Sequence, residues 1–103
     1  MRRAKVYMNE IPAGVLEEIE PEKMYLFIYD DGYAGEPVSL RMPVTNKEYR
    51  FSQFPPFFDG LLPEGIMLDG LLKQNKIDKN DFFSQLITVG GEMVGAVRVE
   101  ELK

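Results

Sequence analysis

Residues 24–29 read Met24-Tyr25-Leu26-Phe27-Ile28-Tyr29, a run of apolar and aromatic side chains between Pro21-Glu22-Lys23 and Asp30-Asp31-Gly32. Both flanks are turn-forming, and β-branched and aromatic residues are enriched in strands. Met24, Leu26 and Ile28 fall on one face and Tyr25, Phe27 and Tyr29 on the other. With both faces apolar, the spacing predicts a central strand covered on both sides.

Working outward, the segment before it predicts a β-hairpin. Ala4, Val6 and Met8 alternate with Lys5 and Tyr7, Asn9-Glu10 offers a tight turn, and Ile11 to Ile19 resumes extended character. Asn-Glu is a weaker turn signal than Asn-Gly. Pro12 cannot donate to a ladder, so the second strand either lies at an edge or begins after Pro12. On the other side, Val38, Leu40 and Met42 alternate with Ser39 and Arg41, which predicts a short strand stopped by Pro43.

The period then changes. Phe57, Phe58, Leu61 and Leu62 share a helical face, and Pro55-Pro56 suits a first helical turn. Pro63-Glu64-Gly65 bends the chain, after which Ile66, Met67, Gly70 and Leu71 repeat the helical spacing. A third helix carries Phe82, Phe83, Leu86 and Ile87 as its buried stripe, with Asp78 as expected N-cap and Gly90-Gly91 as the stop. A last strand is expected from Met93 to Val99, with Val97 and Val99 on one face and Ala96, Arg98 and Glu100 on the other. The expected class is α+β: a small, mostly antiparallel β-sheet with two or three short helices packed on one face. At 103 residues the chain reads as a single domain spanning residues 1–103.

Composition narrows the function. Asp and Glu number 17 and Lys and Arg 12, a formal charge of -5. That argues against nucleic-acid binding, which needs a basic footprint on phosphate. Arg2, Arg3 and Lys5 form one basic cluster, which reads as a solubility feature. With no Cys and no His, the chain lacks a disulfide, a thiolate, the commonest general base and the commonest metal ligand. No catalytic residue, metal site or cofactor is expected. Apolar runs are far short of the ~20 residues that cross a bilayer, and Met1-Arg2-Arg3 lacks the apolar stretch of a signal peptide. The expected compartment is the cytoplasm.

The remaining motifs have plain explanations. Asp30-Asp31-Gly32 reads as a turn rather than a carboxylate pair. Asp78-Lys79-Asn80-Asp81 has Phe83 where a calcium loop needs glycine, and Val89 where it needs glutamate. Gly90-Gly91 and Gly95 follow a helix and precede a strand, the reverse of a phosphate cradle. Phe51, Phe54, Phe57 and Phe58, with Ile66 and Met67, remain either core or exposed patch, since interfaces favour aromatics and Met. The core reading expects four of these six inside.

At Phe57-Phe58-Asp59-Gly60-Leu61-Leu62-Pro63-Glu64-Gly65 the sequence resembles the Phe-Phe-Asp-(Asn/Gly)-Leu-Leu-Pro-(Asp/Glu)-Gly stretch of the N-terminal domain of HipA-type toxin kinases. Val6-Tyr7-Met8-Asn9 with Ala13-Gly14-Val15-Leu16 is similar to that domain's opening hairpin. Val38-Ser39-Leu40-Arg41-Met42-Pro43 and Gly90-Gly91-Glu92-Met93-Val94-Gly95-Ala96-Val97 resemble its later signatures, in the same order. In that family the domain precedes a serine/threonine kinase core that carries the catalytic machinery, none of which is present in this sequence. The resemblance implies a stand-alone, HipS-like antitoxin of a three-part HipBST-type system. Such a protein binds a separate HipT- or HipA-like kinase, with a HipB-like helix-turn-helix protein in the larger complex. Alternatives are an assembly module that joins those subunits, or the detached N-terminal domain of a HipA-like kinase. Carried onto this chain, the resemblance implies partner contact through Phe57, Phe58, Pro63, Glu64, Gly65, Ile66 and Met67. No Trp is present near this bend to serve as a large aromatic anchor.

Overall fold

Asn9 and Glu10 both adopt positive φ, +52° and +65°, the backbone of a two-residue hairpin turn that matches strand twist. They join β1 (Arg2–Met8) to β2 (Ile11–Glu20) in the expected antiparallel hairpin. These and all later coordinates come from a computed structural model, which describes residues 1–92 and 95–102. β3 (Met24–Tyr29) pairs with β2, and β4 (Glu48–Phe51) pairs with β3. β5 (Val97–Leu102) returns to pair with β1. The result is a five-stranded sheet of order β4-β3-β2-β1-β5, with each of these pairings antiparallel.

Pro12 does not push β2 to an edge, nor does β2 begin after it. β2 is the middle strand and includes Ile11. Pro12 is tolerated because the register with β1 shifts between Val6 and Tyr7, and pairing with β3 starts only at Gly14. Gly14 itself is needed for close approach. A Cβ there would stand 2.5 Å from the Ile28 carbonyl oxygen and 2.8 Å from the Phe27 ring. Its absence lets the Phe27 ring lie across the sheet.

One sheet face is the core face. Ala4, Val6, Leu16, Phe27 and Val99 are almost wholly buried on it, with Tyr25 and Tyr29. Helices α1 (Pro56–Asp59) and α3 (Phe82–Val89) add Phe58, Phe83 and Leu86 to the same cluster. The α+β class and a sheet with helices on one face are as expected. β3 is interior but not covered on both sides. Its second face carries Leu26 at 9% exposure, Ile28 half-buried and Met24 exposed at 40%. Leu26 is shielded by its own cross-strand neighbours Glu17 and Arg50.

Three other expectations shift. The segment Val38 to Met42 is a turn, not a strand: the Met42 amide donates to the Ser39 carbonyl at 2.9 Å. Val38 and Met42 are buried while Leu40, which strand alternation would place beside them, is 91% exposed. The N-cap of α3 is Asp81, whose carboxylate accepts from the Ser84 amide at 3.1 Å. Asp78 instead accepts from the Asn80 amide in a preceding turn, at 2.8 Å. The described part of the last strand begins at Val97; its expected start at Met93 lies outside the described residues, as does Val94. Val97 and Val99 face the core as expected.

The basic cluster near the N-terminus is more than a solubility feature. Arg2 is locked between β2 and α3: its Nε meets Glu18 at 2.7 Å and its Nη2 meets Asp81 at 2.8 Å. Nη1 donates to the Ser84 hydroxyl at 2.7 Å, and the guanidinium stacks 5.0 Å from the centre of the Phe83 ring.

Candidate protein-binding surface

The segment from Phe57 to Met67 is built in two halves. In the first, Pro56 opens α1 at a position that needs no amide donor. Phe58 points inward and is wholly buried, its ring 5.9 Å from that of Phe27. Phe57 packs edge-on against Phe58 at 5.2 Å and is half-buried. Leu61 and Leu62 continue the turn through amide bonds to Phe58 and Asp59, both 3.1 Å, and Leu62 closes the core.

In the second half the chain leaves the core. Pro63 is half-buried and Glu64 is extended and exposed. Gly65 takes φ +59° with open space around it, so backbone geometry rather than crowding selects glycine here. Helix α2 (Gly65–Asn75) follows, and none of its residues is buried. Ile66 is 88% exposed and Met67 75% exposed. Leu68, Leu71 and Leu72 are only half-buried. The helix ends at Lys76, which takes a left-handed φ of +53° and donates its amide to Leu72.

The expected contact residues therefore divide. Phe58 belongs to the core and is out of a partner's reach; Phe57 and Pro63 are partly accessible; Glu64, Gly65, Ile66 and Met67 are displayed together. Of the six apolar residues left open between core and patch, the four phenylalanines are in the core or packed on it, and Ile66 and Met67 face solvent. Chemically the displayed part is apolar, with Ile66 and Met67 open to solvent. Among the described residues no group of His, Cys, Asp and Glu is arranged to hold a metal. Among the described residues, no helix is long and apolar enough to cross a membrane.

A second apolar surface escaped the sequence reading. Loop residues 36–42 stand against β4 and the start of α1, leaving an open groove of about 1140 Å³. The Tyr29 hydroxyl pins this loop. It donates to the Met42 carbonyl at 2.5 Å and accepts from the Val38 amide at 3.0 Å. Burial pushes the pKa of the Tyr29 hydroxyl up, against the opposing effect of the Val38 amide bond, so the group stays protonated and able to donate. Alternation of Tyr49 and Phe51 with Glu48 and Arg50 was the available signal for β4.

Comparison with known proteins agrees with this architecture. The family model for the HipA N-terminal domain matches residues 4–100. An uncharacterized protein of Haemophilus influenzae is 31% identical over 103 residues, covering 100% of this chain and 95% of that protein. The solved N-terminal domain of HipA toxin superimposes with a TM-score of 0.78 at 28% identity, over 100% of this chain and 94% of that one. The chain therefore belongs to the HipA N-terminal domain family.

Proposed function

We propose that this chain binds a separate HipA-like serine/threonine kinase and neutralises it, acting as the antitoxin subunit of a toxin–antitoxin system. The observation that carries the reading is α2, an 11-residue helix with no buried residue that presents Ile66 and Met67 to solvent. Fully burying a side chain of this kind contributes about 1.5–3 kcal/mol, and a partner surface would recover it. Gly65 and Pro63 fix the direction in which the helix leaves the core. Family membership supports a kinase as the partner class, since in this family kinase activity lies in a separate domain. The encounter takes place in the cytoplasm, with a HipB-like DNA-binding protein as a further member of the complex.

Co-expression with a HipA-like kinase from the same genome tests the proposal. Growth rescue together with co-purification is the expected result. A stable complex without rescue replaces neutralisation with assembly, and absence of both removes the kinase as partner.

A further inference from the structure

β4 is an edge strand, and its outer side is open. The Tyr29 amide donates to the Lys47 carbonyl, and the register pairs Phe27 with Tyr49 and Tyr25 with Phe51. Antiparallel alternation therefore turns the N–H and C=O groups of Glu48 and Arg50 away from β3. The side chains of Tyr49 and Phe51 lie on the core face, where they form part of the groove described above. Its other apolar walls include Val38, Leu40, Met42 and Phe57. Leu40 stands at the lip, 91% exposed. Arg41 lies beside it, exposed and without an acidic partner among the described residues. Arg50 also borders the groove, but its side chain lies on the opposite face with Leu26 and is paired with Glu48 at 3.1 Å.

We propose that the β4 edge binds an extended segment of a partner polypeptide, added antiparallel as a sixth strand, with apolar side chains at alternate positions and a carboxylate facing Arg41. An open edge supplies main-chain hydrogen bonds and fixes an extended occupant, and a groove on one face reads every second side chain. Natural edge strands are commonly protected by proline, bulges or a covering loop. β4 is short and carries the charged Glu48 and Arg50, but among the described residues no proline lies within it and no backbone group bonds its outer side, and the adjoining loop is held back by Tyr29 so that the groove stays open. Arg41 sets the charge of the occupant in a chain that is otherwise acidic. This surface lies on different elements from α2, and the inference does not rest on the kinase reading.

The probe is a synthetic octapeptide alternating valine and threonine with one aspartate, titrated into the isotope-labelled full chain and followed by amide resonances. A second peptide, N-methylated on the amides of its pairing edge, is the control. The expected result is movement of the Glu48 and Arg50 amides with the first peptide and none with the second. Glu48→Pro removes an outward donor at the first residue of the strand, where proline is tolerated, and is expected to abolish binding. Arg41→Glu changes only an exposed side chain and is expected to weaken binding about tenfold. Equal binding of the methylated peptide, unchanged affinity of Arg41→Glu, or no movement along β4 overturns the proposal. Sedimentation of the free chain as a dimer that Glu48→Pro dissolves also overturns it, by giving the edge to a second copy.

Discussion

The Arg2 guanidinium and the Asp81 carboxylate meet at 2.8 Å across 79 positions of sequence. The contact joins the first strand to the cap of the last α-helix, because the same carboxylate accepts from the Ser84 amide and hydroxyl. Arg2 also holds Glu18, which is only 4% exposed, so one cation answers two carboxylates on two elements.

Replacing Arg2 with Ala is therefore expected to destabilise the fold beyond the loss of a surface ion pair. Glu18 would be left buried without its guanidinium, and removal of one partner from a buried pair costs about 3–5 kcal/mol. Arg2 is itself 36% exposed, and solvent screening lowers the expected loss to about 2–3 kcal/mol. Urea denaturation of the variant against the wild type measures it. Arg3→Ala is the control, since Arg3 is exposed and takes no part in the cluster.

Acid should weaken the same junction. Burial pushes the Asp81 carboxyl up, but hydrogen bonds from Arg2 and Ser84 outweigh it and hold the group below the usual carboxylate range. A carboxyl whose folded pKa is depressed adds stability above its unfolded value, about 3.9, and loses it as pH falls toward the folded value. Stability is expected to decline through that window, and Asp81→Asn should flatten the decline. Thermal unfolding followed from pH 7 down to about pH 3 reads both slopes.

The sheet face that forms the core was legible in the sequence because periodicity and burial coincide there. Ala4, Val6, Leu16 and Phe27 each stand where alternation puts them. The segment from Val38 to Met42 misled because its apolar spacing satisfies a strand equally well as a turn. Pro37 and Pro43 bracket it and neither can donate to a ladder, and the buried pair is Val38 and Met42 with Leu40 outside. β4 is hidden in the sequence because it is only four residues long and Phe51 reads as the start of the aromatic run that follows. The point where the chain leaves the core was legible at the Pro63-Glu64-Gly65 bend. That Phe58 turns inward while Ile66 and Met67 turn outward depends on the direction in which the chain leaves α1, and spacing carries no such direction.

Gly14 offers a test of sheet geometry. An added Cβ would meet the backbone oxygen of Ile28 at 2.5 Å, and backbone cannot swing aside as a side-chain end can. Gly14→Ala is expected to cost about 1–3 kcal/mol by overpacking. Gly70→Ala, on exposed α2 with nothing near its added Cβ, should instead stabilise by a few tenths to about 1 kcal/mol. Opposite signs in paired denaturation curves are the expected outcome.

Tyr29→Phe separates the loop from the core beneath it. The ring still packs, stacked 5.8 Å from Tyr33, but the Met42 carbonyl loses a donor and the buried Val38 amide loses its acceptor. Leaving such groups unsatisfied costs about 1–3 kcal/mol. Hydrogen exchange at the Val38 amide is expected to accelerate far more than exchange at Leu16 in the sheet, because the break is local. Equal acceleration at both would show that the hydroxyl supports the whole fold rather than the loop.

The surface on α2 makes the sharpest separation between stability and function. Ile66 and Met67 are 88% and 75% exposed, so Ile66→Asp with Met67→Asp should alter stability by no more than about 0.5 kcal/mol each. Central apolar anchors of an interface cost 2 kcal/mol or more when removed, about thirtyfold in affinity. The doubly substituted chain is therefore expected to fold as the wild type does and to fail in kinase binding and growth rescue. Phe58→Asp is expected to fail in both for a different reason, because Phe58 is wholly buried and an unpaired charge there unfolds the domain. Circular dichroism beside co-purification distinguishes the two, and retained kinase binding by the folded Ile66/Met67 variant would remove α2 from the interface.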